Sequence, residues 1–173
     1  MLHTYHCPSV TGPDDNANYA GYARSDYAGV HGGAMLRVSN SMQEPGNGVF
    51  SMNSNICFND IDDGTEFTLL VGERAMTRDG QHGAIWLRSV NRTGDRGDGT
   101  AVTGVCHREL RLNDANQSSG FLSWHPRGAQ FVMLDGAVHF LSEDIDGTTY
   151  ERLAQRSDGS NLTALSLTSA PPL

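Results

Sequence analysis

The chain has 173 residues, 38% of them hydrophobic, and 20 glycines. That is one domain by length, large enough for a real core, and its glycine content favours a loop-rich, β-containing domain over a helical bundle. Twelve basic residues against 20 acidic ones give a net charge of -8, which argues against nucleic acid or an anionic membrane surface as partner, since both reward basic patches.

No apolar run approaches the roughly 18 residues needed to span a bilayer. No signal peptide is visible, so the expectation is either a removed N-terminal segment or a short soluble protein. Residues 1–18 are polar and carry Pro8, Gly12 and Pro13, which reads as an N-terminal arm without regular structure. His3, His6 and Cys7 are candidate metal ligands, but no paired cluster follows at zinc-finger spacing, and a solvated arm is favoured. Tyr19, Tyr22 and Tyr27 form an aromatic cluster that suits a sugar or, by preference, the cover of a small core. The body of the domain is expected over 19–160, with a tail over 161–173.

Gly29 to Gly33 reads as a glycine-rich bend. It lacks the Lys and the strand-turn-helix setting of a phosphate loop. Short strands are expected at 35–38, 49–52, 67–71, 84–87 and 101–105, from their β-branched and apolar content. Glu73 beside Arg74 reads as a local ion pair. Residues 91–100 form a polar loop with an Arg-Gly-Asp tripeptide of the kind that occurs by chance. Between these strands, Asp60, Asp62, Asp63 and Glu66 place oxygen ligands at close spacing, as a calcium loop does. They miss the EF-hand pattern. The alternative is structural: Asp63-Gly64 as a turn, with Asp60 or Asp62 capping a short helix.

The stretch 121–142 reads as a β-hairpin, because Asp135-Gly136 between apolar runs is a strong two-residue turn signal. With that loop, Leu134 pairs with Ala137, Met133 with Val138, Val132 with His139 and Phe131 with Phe140. Alternation then puts Phe131, Met133, Val138 and Phe140 on one face, and Gln130, Val132, Leu134, Ala137, His139 and Leu141 on the other. Thr148 to Glu151 fits a capping box opening a helix over about 148–156. The expected fold class is α+β, an antiparallel sheet around a central hairpin at 129–141 with a short C-terminal helix.

Some of these pieces form a signature. His125, nine intervening residues and then Asp135-Gly136 resemble the mark of the prepilin-type, processing-associated His-x9-Asp-Gly proteins, which are similar to type II secretion protein G, a pseudopilin. Cys7-Pro8-Ser9, then Asp63-Gly64-Thr65 with Val71-Gly72-Glu73, then Tyr150 with 153–156, follow in that family's order. The resemblance implies a pseudopilin-like head without its N-terminal helix, on the periplasmic or extracellular side of the cell envelope, contacting other pseudopilin-like or secretion-apparatus proteins. It leaves membrane attachment to the helix that this chain lacks. The export route that it implies permits a disulfide. Cys57 with Cys106 is the favoured pair, because both abut predicted strands while Cys7 lies in the arm. The alternative is three reduced cysteines buried as small hydrophobes.

The residues themselves argue against an enzyme. A strand over 128–134 would hold His125 and Asp135 far apart, and Cys106 and His107 point to opposite faces. His125 is expected to bond backbone groups at its bend, with Trp124 packed nearby. The leading reading is a non-enzymatic assembly or protein-contact module without a resident cofactor. The alternative is a soluble extracellular module binding a glycan or calcium, with Tyr19, Tyr22, Tyr27, Trp86 and Trp124 as the sugar platform.

Overall fold

A computed structural model describes residues 3–33, 46–51, 54–86 and 101–159. Its strands are β1 (Asp15–Asn16), β2 (Tyr22–Ser25), β3 (Tyr27–Gly32), β4 (Leu69–Glu73), β5 (Ala84–Ile85), β6 (Thr103–Val105), β7 (Gly128–Met133) and β8 (Val138–Ser142). The helix α1 spans Gly147–Leu153. Five strands form the main sheet in the order β6-β3-β4-β7-β8, and β1-β2-β5 form a small second one. The fold is α+β. The main sheet is mixed rather than wholly antiparallel, because β3 and β6 run parallel.

The segment 29–33 is no bend: it lies largely within β3, between β6 and β4. Phe50 explains the glycine there, since a Cβ on Gly29 would stand 2.7 Å from its ring. The expected strand at 49–52 forms none over 49–51, although Phe50 N–H donates to the Val30 carbonyl at 3.2 Å. The expected strand at 35–38, the Arg-Gly-Asp loop and the tail lie outside the described residues.

The hairpin forms, with a different turn. Val132 pairs with Val138, Phe131 with His139, Gln130 with Phe140 and Ala129 with Leu141. Gly136 N–H donates to the Met133 carbonyl at 3.0 Å, and Met133 N–H to that of Ala137 at 2.8 Å. The loop is therefore three residues, Leu134, Asp135 and Gly136, with only Gly136 at positive φ, +90°. That is a type I turn closed by a glycine bulge, whereas the two-residue turn requires both central residues at positive φ. The register moves by one residue, and such a slip exchanges faces. Ala129, Phe131, Met133 and Leu141 enter the core, while Gln130, Val132, Val138 and Phe140 share the opposite face.

The core lies between the sheet and α1. Phe131 meets Phe121 and Tyr150 edge-on, at centroid distances of 5.1 and 6.2 Å, and Leu153 and Ala154 complete the cover. Gly72, paired with Phe131, admits this packing: a Cβ there would lie 2.3 Å from the Phe131 ring. The helix starts one turn-half earlier than its capping box implied. Asp146 is the N-cap and accepts Thr149 N–H at 2.9 Å. Glu151 is instead drawn to Arg108, accepting from Nε and Nη2 at 2.8 Å each.

Candidate functional site

Residues 3–18 do not form a free arm. Cys7 and Val10 are buried and pack with Ala75, Tyr27, Leu122 and Trp124. Cys7 N–H donates to Asp26 Oδ2 at 2.9 Å, and Asp26 N–H to the Tyr5 carbonyl at 2.9 Å. Asp26 is itself buried, 3.3 Å from Arg24 Nε. Burial raises its pKa, and the neighbouring Arg24 opposes that shift. His6 is taken up by Arg24, contacting its carbonyl at 3.1 Å and its Nη2 at 3.3 Å. His3 stands edge-on to His6. Of the three candidate ligands in this segment, Cys7 alone turns inward to the sheet.

What Cys7 meets there comes from two distant segments. Glu73 ends β4, and alternation along the strand sends it and Arg74 to opposite sides. They make no ion pair with each other. Arg74 donates to the Thr103 and Ser118 carbonyls. Glu73 Oε2 accepts Ser123 Oγ–H at 2.8 Å and Gln130 N–H at 2.7 Å, and Oε1 lies 3.1 Å from His125 Nε2. The bend that carries His125 is pinned beside the ring. Trp124 Nε1 donates to the Met76 carbonyl at 2.7 Å beneath the Arg78 guanidinium, and His125 N–H donates to Ser123 Oγ at 3.1 Å. Trp124 does pack nearby, as expected, but the His125 ring engages side chains rather than the backbone of its bend.

Cys7 Sγ lies 3.5 Å from the same His125 Nε2. Sulfur, nitrogen and carboxylate oxygen all lie within 4.8 Å of one another, the one such group of three among the described residues. In a nucleophilic triad the thiol and the acid use different ring nitrogens. Here they share one. Burial also pushes the Cys7 thiol pKa up, with Glu73 adding to the rise, whereas a reactive cysteine needs a lowered one. The arrangement is one of convergent donors, not of a proton relay.

This cluster closes one end of a groove of about 450 Å³ on the sheet face opposite α1. Val71, Val132, Val138, Tyr27 and Pro8 supply apolar walls. Val138 is 61% exposed, and Phe140, on the same face of edge strand β8, is 45% exposed. Val138 and Phe140 join Gln130 and Val132 on this face because Val132 pairs with Val138 and Gln130 with Phe140. Tyr27 has its phenol pKa pushed up to about 12 by burial and by the neighbouring Cys7, Glu73 and Asp26.

The other expected site residues scatter. Asp60 reaches back to Cys57 N–H at 2.8 Å and caps the short 3-10 turn Phe58–Asp60. Asp62 accepts Ser157 Oγ–H at 2.6 Å, and Asp63 accepts the N–H groups of Asp158 and Gly159 at 2.7 and 3.1 Å. Glu66 lies in the next short turn, Thr65–Phe67. These carboxylates do not converge on a calcium position; they cap a turn and tie down the chain after α1. The expected Cys57–Cys106 disulfide is not formed. All three cysteines are free, Cys57 exposed with its thiol on Asp60 at 3.1 Å, and Cys106 buried in the core. His125 and Asp135 lie beyond opposite ends of β7, and Asp135 Oδ1 accepts Ala137 N–H at 2.8 Å within the turn. Nor do the aromatic residues build one platform: Tyr19 and Tyr22 pack by Ile85, Trp86 lies against Tyr5, and Trp124 joins the Cys7 cluster.

Glu73 is the residue that sequence reasoning missed. Two signals pointed to it. Adjacent strand residues cannot both face one partner, and Cys7, Glu73 and His125 each belong to a separate block of the same signature.

Fold and site together define an α+β domain whose mixed sheet is covered on one face by a short helix and carries an apolar groove on the other. The chain belongs to the family described as "Protein of unknown function (DUF1559)", whose profile matches residues 1–148. No curated protein and no solved structure matches it. No helix among the described residues is long and apolar enough to cross a membrane.

Proposed function

We propose that this domain is a non-enzymatic, pseudopilin-like protein-contact module of a secretion or pilus-like apparatus, working on the outer side of the cell envelope. The observation that carries the reading is the exposed apolar strip on edge strand β8, Val138 and Phe140, beside the 450 Å³ groove. An exposed apolar patch next to an unpaired strand edge is what a protein-binding surface requires and what a free-standing domain avoids. The occupant it fits is an apolar helical segment of another apparatus subunit, laid along the groove. The His-x9-Asp-Gly signature supports the same reading. The cysteines lend it nothing, being unpaired. Among the described residues the acidic side chains of Asp60, Asp62, Asp63 and Glu66 form no convergent group, and the expected aromatic residues lie in separate clusters.

A photo-crosslinking residue at Val138, in the protein expressed in its own cells, tests the proposal. The expected result is an adduct with an envelope subunit of pilin or pseudopilin type, identified by peptide mass, that disappears when Phe140 is also changed to Glu. Adducts confined to cytosolic proteins, or none at this position, overturn it.

A further inference from the structure

We propose that Cys7, Glu73 and His125 form a mononuclear zinc-class metal site, with the groove opening onto its remaining coordination position. Two of the three donor separations match a metal as they stand, and the third, sulfur to carboxylate oxygen, is within 4.8 Å. A tetrahedral zinc with Zn–S of about 2.3 Å and Zn–N and Zn–O of about 2.0 Å separates sulfur from nitrogen by about 3.5 Å, and nitrogen from oxygen by about 3.3 Å. The observed separations are 3.5 Å for Cys7 Sγ to His125 Nε2 and 3.1 Å for His125 Nε2 to Glu73 Oε1.

The donor set selects the metal. Thiolate with imidazole and one carboxylate suits a borderline-soft divalent ion, not calcium or magnesium, which take all-oxygen shells. The surroundings also match a ligand shell. Glu73 uses Oε1 toward the cluster while Ser123 Oγ and Gln130 N–H hold Oε2, so the carboxylate cannot swing away. Ser123 also accepts His125 N–H, which fixes two of the three donors through one hydroxyl. Such outer hydrogen bonds are what orient metal ligands. Cys7 and Glu73 are buried while His125 is partly open to solvent, which leaves a path for the ion. Three protein ligands beside a cavity is the arrangement that keeps a position for water or a partner's donor atom. The site also has a structural consequence: it ties the N-terminal segment to β4 and to the bend before β7, at the end of the groove.

The test uses the full chain, stripped with a chelator and titrated with zinc chloride and cobalt chloride against a chromophoric competitor. We expect one equivalent bound at micromolar affinity or tighter, and a thiolate-to-cobalt charge-transfer band. Cys7→Ser should abolish the band, and Ser123→Ala should weaken binding about 10- to 100-fold. Cys57→Ser should change neither. If Cys7→Ser does not fold, His125→Gln replaces it, with the same expected loss of binding. The inference is overturned if the wild-type chain binds no stoichiometric zinc, if Cys7→Ser or His125→Gln binds as tightly as wild type, or if the cobalt band is lost with Cys57→Ser instead.

Discussion

Glu73 Oε2 accepts the backbone N–H of Gln130 at 2.7 Å, just past the last β4–β7 pair, Gly72 with Phe131. A side-chain carboxylate thus takes over where the ladder's carbonyls stop, and its other oxygen is left for His125. Only 2% of Glu73 is exposed, so removing it strands a backbone donor and the Ser123 hydroxyl together. Glu73→Ala should cost about 3 kcal/mol, since a buried donor left without its acceptor costs about 1–3 kcal/mol of desolvation. Glu73→Gln should cost less. Urea unfolding measures both, and an alanine variant within experimental error of wild type would contradict the arrangement.

The two glycines of the hairpin region should respond for different reasons. Gly136 has open space around its Cβ position but a φ of +90°, so Gly136→Ala costs about 1 kcal/mol through backbone strain alone. Gly72→Ala forces a methyl group into the Phe131 and Phe121 rings and should cost about 1–3 kcal/mol or more. Thermal melts should therefore rank Gly72→Ala below Gly136→Ala. The reverse order would refute the close approach of β4 to the aromatic core.

Alkaline stability should depend on Cys106. Burial pushes its thiol from 9.0 up to about 12, so the native state keeps a proton that the unfolded chain releases. That contribution is complete below pH 9.0 and is lost as pH rises toward about 12. Tyr27, raised from 10.0 to about 12, acts with the same sign. Stability should fall with pH above 9, and Cys106→Ala should decline less steeply than wild type, whatever its absolute stability. Parallel curves for the two would count against a buried thiol.

Acid should act on α1 in the opposite sense. Hydrogen bonds from Arg108 hold the Glu151 carboxyl below its usual value of 4.5, and the Thr149 N–H does the same for Asp146. A depressed folded value means stability that is present above the unfolded pKa and lost as pH falls through the folded one. Glu151→Gln should lower stability at neutral pH and flatten its decline below about pH 4.5. Far-ultraviolet circular dichroism along an acid titration reads this out. An unchanged acid limb would show that the Arg108 contact contributes nothing.

Thiol accessibility gives a further check. Cys57 is exposed, while Cys7 and Cys106 are buried. Alkylation of the native, unreduced protein should label Cys57 rapidly and the other two only after unfolding, with three modified thiols in total. Recovery of a Cys57–Cys106 crosslinked peptide would contradict the structure.

The sequence by itself determined the local and periodic features. The apolar runs around Asp135-Gly136 specified a hairpin, and Tyr150, Leu153 and Ala154 specified a helix with one buried face, because such preferences act over a few residues. The same short range explains the errors. Asp135-Gly136 admits either a two-residue turn or the closing half of a three-residue one. Burial of Leu141 beside Ala129 in the core goes with the second, which turns Val138 and Phe140 to the opposite face. Asp146 and Thr148 are both competent caps, and Arg108, 43 residues away from Glu151, decided between them by taking the glutamate. The cluster of Cys7, Glu73 and His125 was legible only as three separate pieces of a signature. Their meeting depends on the antiparallel β4–β7 pairing and on the docking of residues 3–18 through Asp26, contacts between segments up to 118 residues apart. Contacts over such separations leave no periodicity in the chain, so only the folded sheet brings the three donors to one place.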